Sequence, residues 1–171
     1  MAEIILFGTG HEASVAHYYF ERDTEHQVAG FTVDRDHVEA STFRGLPVVP
    51  FEDVTDAFAP SRYKMHVPIA YTRINKLRAE KYFAAKEKGY DLVSYVSSKA
   101  TVWQDLEMGD NCFVAEHAVI QPFARIGNNV VIKGSTELKD VETETYCVVD
   151  GIVVLKKSVN ILPGTKIGAV E

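Results

Sequence analysis

Three features in the first half of the chain have the residue types and spacing to hold a phosphorylated ligand. Gly8-Thr-Gly-His-Glu-Ala13 has the form G-x-G-x-x-A, directly after the apolar run Glu3-Ile-Ile-Leu-Phe7. Glycines let the backbone approach phosphate oxygens, and the helix that follows such a turn offers free N–H groups and a partial positive charge. Asp34 ends the next apolar run, where a carboxylate can accept hydrogen bonds from a ribose or a base. Arg73 lies beyond a later strand pattern and is a candidate phosphate partner. The plainer alternative for the loop is a tight strand-to-helix turn with no ligand. For Arg78, further along, it is a solvated helix face.

The elements that must position these residues alternate along the chain. Strands are expected over 3–7 and 27–33, with a helix over 12–21 that turns Ala13, Ala16, Tyr19 and Phe20 towards a sheet. A turn and short strand over 45–50 come next, then a short helix over 51–58 and a strand over 63–70. The best helical pattern runs over 75–88, with Leu77, Tyr82, Phe83 and Ala84 inward and Gly89 as its stop. A last strand over 91–95 closes a sheet of about five parallel strands, which reads as a Rossmann-like α/β unit over residues 1–95.

The second half repeats in sixes. Val96, Val102, Met108, Val114, Ile120, Ile126, Ile132 and Leu138 fall six residues apart without a break. Two residues before each of the last seven stands a further inward candidate: Ala100, Leu106, Cys112, Ala118, Ala124, Val130 and Thr136. Turn residues such as Gly109-Asp110 and Gly127-Asn128 lie between the pairs. A helix repeats at 3.6 and a simple strand at 2, so neither accounts for six. Very short strands separated by corners do, and they define a parallel β-helix over residues 96–171. An ordinary sandwich of short strands is the alternative, with longer strands and wider turn spacing.

The chain has 171 residues, is 46% hydrophobic and 25% charged, and carries a formal net charge of -6. That charge gives no electrostatic case for nucleic acid. No apolar run approaches the ~20 residues of a membrane helix, and no basic leader follows Met1, so the cytoplasm is the expected location. Cys112 and Cys147 form neither a disulfide framework nor a metal spacing.

A small Rossmann-like unit followed directly by hexapeptide repeats resembles the sugar O- and N-acyltransferases of the sialic acid O-acetyltransferase and bacillosamine N-acetyltransferase type. The residues that carry the likeness are Ile5-Leu-Phe-Gly-Thr-Gly-His11, Gly30-Phe-Thr-Val-Asp34, Gly45-Leu-Pro-Val48, Met108-Gly-Asp-Asn111 and Ile126-Gly-Asn-Asn129. The resemblance implies a left-handed β-helix, a homotrimer, acetyl-CoA as acyl donor and a nucleotide-linked sugar, commonly a UDP-sugar, as acceptor. It places Gly8, Gly10 and His11 on the diphosphate and Asp34 on the nucleoside. It also implies a histidine base assisted by an acid. Glu116-His117 is the sole acid–histidine pair in the repeats, and position 117 points outward. A solvent-facing or subunit-contact histidine is the alternative.

Two departures qualify that resemblance. No histidine follows His117, and the six-residue phase breaks near 139–148, where an irregular loop is expected. Beyond it, either a hairpin turns at Asp150-Gly151 or the hexads resume out of phase at Val149, Leu155, Ile161 and Ile167, giving about four coils. On this reading the repeat region is shortened. The expected activity is acetyl transfer to an amine or hydroxyl of a nucleotide-linked sugar for surface glycan synthesis. The competing expectation is an inactive nucleotide-sugar-binding module whose β-helix serves assembly. An NAD-dependent enzyme is a third reading, which leaves no room for a substrate domain.

Overall fold

The structure is a computed structural model that describes residues 1–69, 76–122 and 124–134, and beyond them the backbone of the strands within 137–143, 148–149, 154–161 and 166–167. The chain divides into two compact units. One comprises Met1–Ala70 with Glu80–Val93, and the other Tyr71–Ala79 with Ser94–Glu171.

In the first unit, β1 (Glu3–Phe7) leads into α1 (His11–Asp23), and β2 (Gln27–Val33) follows. A short hairpin of β3 (Thr42–Phe43) and β4 (Leu46–Pro50) turns at Arg44-Gly45, both at positive φ of 52° and 81°. Two left-handed residues in a row make the turn whose twist suits adjacent antiparallel strands. After α2 (Val54–Ala57) comes β5 (Tyr63–His66), and later α3 (Lys76–Glu87). The sheet order is β3-β4-β2-β1-β5, with β4, β2, β1 and β5 parallel. Ile4, Ile5 and Leu6 on β1 are fully buried, as befits a central parallel strand covered on both faces. Ala13, Ala16 and Phe20 form the buried stripe of α1.

Three details differ from the sequence reading. The segment expected to close the sheet over 91–95 contributes one parallel bridge, Leu92 to Met65, and Tyr95 already belongs to the repeats. Phe83 is 52% exposed, because the buried positions of α3 are Arg78, Tyr82 and Ala85. Arg78 itself is 2% exposed and donates from its guanidinium to the Asn129 carbonyl at 2.7 Å, within the second unit. It is not on a solvated face. The Asn129 carbonyl, at a corner of its coil, supplies an acceptor for the buried cation.

The second unit is a stack of two-residue strands. β6 (Tyr95–Val96), β7 (Thr101–Val102) and β8 (Glu107–Met108) make the first coil. β9 (Phe113–Val114), β10 (Val119–Ile120) and β11 (Arg125–Ile126) make the second. β12 (Val131–Ile132) and β13 (Glu137–Thr143) make the third, β14 (Val148–Val149) and β15 (Val154–Ile161) the fourth, and β16 (Lys166–Ile167) begins another. Every pairing among them is parallel. One face carries β6, β9, β12, β14 and β16. The other two are joined because β13 runs round a corner, pairing Glu137 with Val119 and Glu142 with Arg125.

The core is the predicted double row. Cys112, Val114, Ala118, Ile120, Ala124, Ile126, Val130 and Ile132 are buried together, with Val96, Ala100, Val102, Leu106 and Met108 packed against them. Val114 pairs with Ile132, eighteen residues on, but Ile132 pairs with Val149, only seventeen on. The missing residue lies at the register shift between Lys139 and Val141. Where a loop was expected near 139–148, the chain is strand as far as Thr143. The hairpin alternative also fails, since β14 lies parallel between β12 and β16. Val149, Leu155, Ile161 and Ile167 each take the second place of a pairing.

Corners place Asn111, His117 and Asn129 at the third position after an inward residue, with φ of 52°, 62° and 57°. Asn and His tolerate this left-handed conformation better than most residues. Asn111 Nδ2 donates to Asn129 Oδ1 at 2.7 Å, one coil above the other, with both residues buried.

Candidate functional site

The glycine loop and Asp34 come together at the carboxyl ends of the parallel strands, in the first unit. Gly8 follows β1 with φ +116° and donates its N–H to the Thr32 carbonyl at 2.7 Å, which ties the loop to β2. A side chain at position 8 would be strained by that φ, so glycine is required there. Gly10 caps α1 without any side-chain hydrogen bond, and the space beside its α-carbon is open. The first N–H groups of α1 are therefore left for an incoming acceptor, the arrangement that suits a phosphate.

His11 is the exposed first residue of α1. With Ser14, Val15, Tyr18, Tyr19 and Arg44 it lines a cavity of about 270 Å³. Arg44 reaches this wall from the β3–β4 turn, its Nε 3.3 Å from Ser14 Oγ. Arg44 thus adds a cation close to the loop that sequence reasoning passed over. The signal was present in a long basic side chain beside a turn glycine.

Asp34 follows β2, and its surroundings are built. The Arg35 N–H donates to both oxygens of the Glu52 carboxylate, and the Arg35 guanidinium holds Asp53 at 2.7 Å. The Asp34 carbonyl accepts from the His37 N–H at 2.8 Å. Lys81, from α3, places its Nζ 2.6 Å from Asp34 Oδ1. The same ammonium lies 5.5 Å from the Phe7 ring and 5.8 Å from the Phe51 ring, within cation–π range. Lys81 stands 47 residues from Asp34, so no local motif could have announced it.

Of the remaining expected site residues, Arg73 lies outside the described residues. Glu116 and His117 are in the second unit. Glu116 is half-buried, and His117 is an exposed corner residue whose N–H donates to the Lys99 carbonyl at 3.2 Å.

Residues 89–166, under half of the chain, match the family described as the GLGC left-handed parallel beta-helix domain. No curated protein sequence matches the chain. Solved structures match almost end to end. A perosamine N-acetyltransferase from Caulobacter crescentus, in complex with CoA and GDP-perosamine, is matched over 97% of this chain and 91% of its own, with a TM-score of 0.65 and 15% identity. The acetyltransferase domain of PglB from Neisseria gonorrhoeae covers 98% and 92%, with a TM-score of 0.66 and 14% identity. WeeI from Acinetobacter baumannii AYE covers 98% and 95%, with a TM-score of 0.55 and 10% identity.

The fold is therefore a Rossmann-like α/β sheet followed by a left-handed parallel β-helix, as in these solved structures. Little of those relatives' length lacks a counterpart here, so the match does not reproduce the expected shortening of the repeats. Among the described residues no helix is long and apolar enough to cross a membrane.

Proposed function

We propose that this chain binds a nucleotide-linked sugar in its first unit and transfers an acetyl group to that sugar from acetyl-CoA. The observation that carries the reading is the uncapped glycine turn of α1, with Asp34 on the neighbouring strand end, in a chain built throughout like sugar N-acetyltransferases. Gly8, Gly10 and His11 hold the diphosphate, and Asp34 accepts from the nucleoside. Arg73 is a further phosphate partner. His117, with Glu116 beside it, takes the proton from the sugar amine or hydroxyl as that group bonds to the thioester carbonyl carbon and the CoA thiolate departs. Acetyl-CoA lies between β-helices of a homotrimer, and the cytoplasm supplies both substrates. A UDP-sugar is the first acceptor to try, for surface glycan synthesis.

The test is calorimetry with acetyl-CoA, followed by release of free thiol with a panel of nucleotide-linked amino sugars. Heat of binding and a sugar-dependent rate are expected, and His117→Ala should lower that rate by about 10² or more. No heat at millimolar acetyl-CoA removes the transferase reading. An undiminished rate in His117→Ala assigns the base elsewhere.

A second reading is favoured by one specific observation. His117 is the last histidine in the chain, and the coil that follows is one residue short. Under this reading the first unit still holds a nucleotide sugar, while the β-helix serves assembly alone. Binding of a nucleotide sugar without binding of acetyl-CoA selects it.

A further inference from the structure

We propose that Lys81 is a positioning residue that makes the Asp34 carboxylate compatible with a diphosphate in the adjacent glycine loop. This rests on the nucleotide reading above and extends it to a residue on α3. Three strand ends meet at Lys81. Phe7 is the last residue of β1 and directly precedes Gly8, Asp34 directly follows β2, and Phe51 directly follows β4. The ammonium lies over both rings and 2.6 Å from Asp34 Oδ1. The two side chains are only 19% and 31% exposed.

The charges decide what this arrangement does. An aspartate two residues beyond Thr32, whose carbonyl anchors the Gly8 N–H, is a near neighbour of any phosphate the loop receives. Partly shielded from water, the two negative groups repel each other more strongly than in bulk solvent. Lys81 cancels that repulsion and engages only Oδ1. Among the described residues Oδ2 accepts no hydrogen bond, so it remains available to a ribose hydroxyl or a base N–H. The two rings fix the ammonium, because a cation held over aromatic faces is restricted in direction. A lysine that merely fastened α3 to the sheet would affect folding and treat all nucleotides alike.

The experiment is calorimetric titration of wild type, Lys81→Met, Lys81→Arg, Asp34→Asn and the double variant Asp34→Asn/Lys81→Met. The probes are the mono- and diphosphates of uridine and guanosine, using whichever base wild type takes. Lys81→Met should weaken the diphosphate about tenfold and the monophosphate about twofold, following the smaller phosphate charge. Lys81→Arg should restore diphosphate affinity to within about threefold. The double variant should recover much of the diphosphate-to-monophosphate affinity ratio lost in Lys81→Met, since the carboxylate that repelled the extra charge is gone.

Equal losses for mono- and diphosphate in Lys81→Met, or a double variant whose diphosphate-to-monophosphate ratio stays as low as that of Lys81→Met, overturn the proposal. Should Lys81→Met fail to fold, Asp34→Asn decides. It should weaken the monophosphate more than the diphosphate, because the freed ammonium favours the extra charge, and the opposite order overturns the proposal. If wild type binds no nucleoside diphosphate at millimolar concentration, the nucleotide reading itself falls, and this inference with it.

Discussion

At the scale of single residues, Cys112 shows how position governs chemistry. It is fully buried in the β-helix core, its thiol donates to the Gly127 carbonyl at 3.1 Å, and burial pushes its pKa up to about 11. Reactivity requires the thiolate, so this sulfur should be inert in the folded protein. In a Cys147→Ser variant, a thiol-specific chromogenic disulfide should find no reactive group until denaturant is added. Prompt labelling under native conditions would contradict the burial. The core role of Cys112 was legible, because the six-residue spacing marks inward positions whatever residue occupies them. Arg78 was not legible in this way. Its helical position says nothing about a carbonyl acceptor on a coil 51 residues later, which helps to make the burial tolerable.

At the scale of elements, the central strand β2 constrains its neighbours through Gly30. A β-carbon there would stand 2.6 Å from the Phe58 ring and 3.0 Å from the Pro47 carbonyl oxygen. The ring is itself buried, 8% exposed, and packs edge-on against Tyr63, while the carbonyl belongs to the paired strand. Gly30→Ala should therefore destabilise by about 1–3 kcal/mol, the usual range for overpacking, read as a shift in the urea midpoint. A variant as stable as wild type would show that Phe58 has room to move. The repeats were readable in the sequence because each short strand must present the same inward pair. Tyr95 was harder to place, since a short apolar run suits a sheet edge and a first coil equally well.

At the scale of the molecule, pH dependence follows from two histidines of the first unit. Burial lowers the pKa of His17, with Glu21 opposing the shift and Arg44 adding to it. Burial also lowers that of His26, helped by the N-terminal ammonium. The unfolded chain takes up protons near 6.5 that the folded chain resists, so the unfolded state binds more protons below that value. Stability from these groups is present above about pH 6.5 and is lost as the pH falls through the lower folded values. The urea midpoint should drop between pH 7 and 5, and His17→Gln/His26→Gln should flatten that slope. An unchanged slope would place the pH sensitivity elsewhere. The general architecture was legible because two different periodicities meet in one chain. The Lys81–Asp34 pair was not, because only the folded sheet brings α3 to the end of β2.

The coil that is one residue short has a consequence for how such a prism can change over time. Each turn of the spiral needs to match only the turns directly above and below it, so a lost residue at an edge shifts the count without disturbing distant layers. The later rungs then sit in the same slots under altered numbering. A deletion that would unseat half the contacts in a globular core is absorbed here within a single bend.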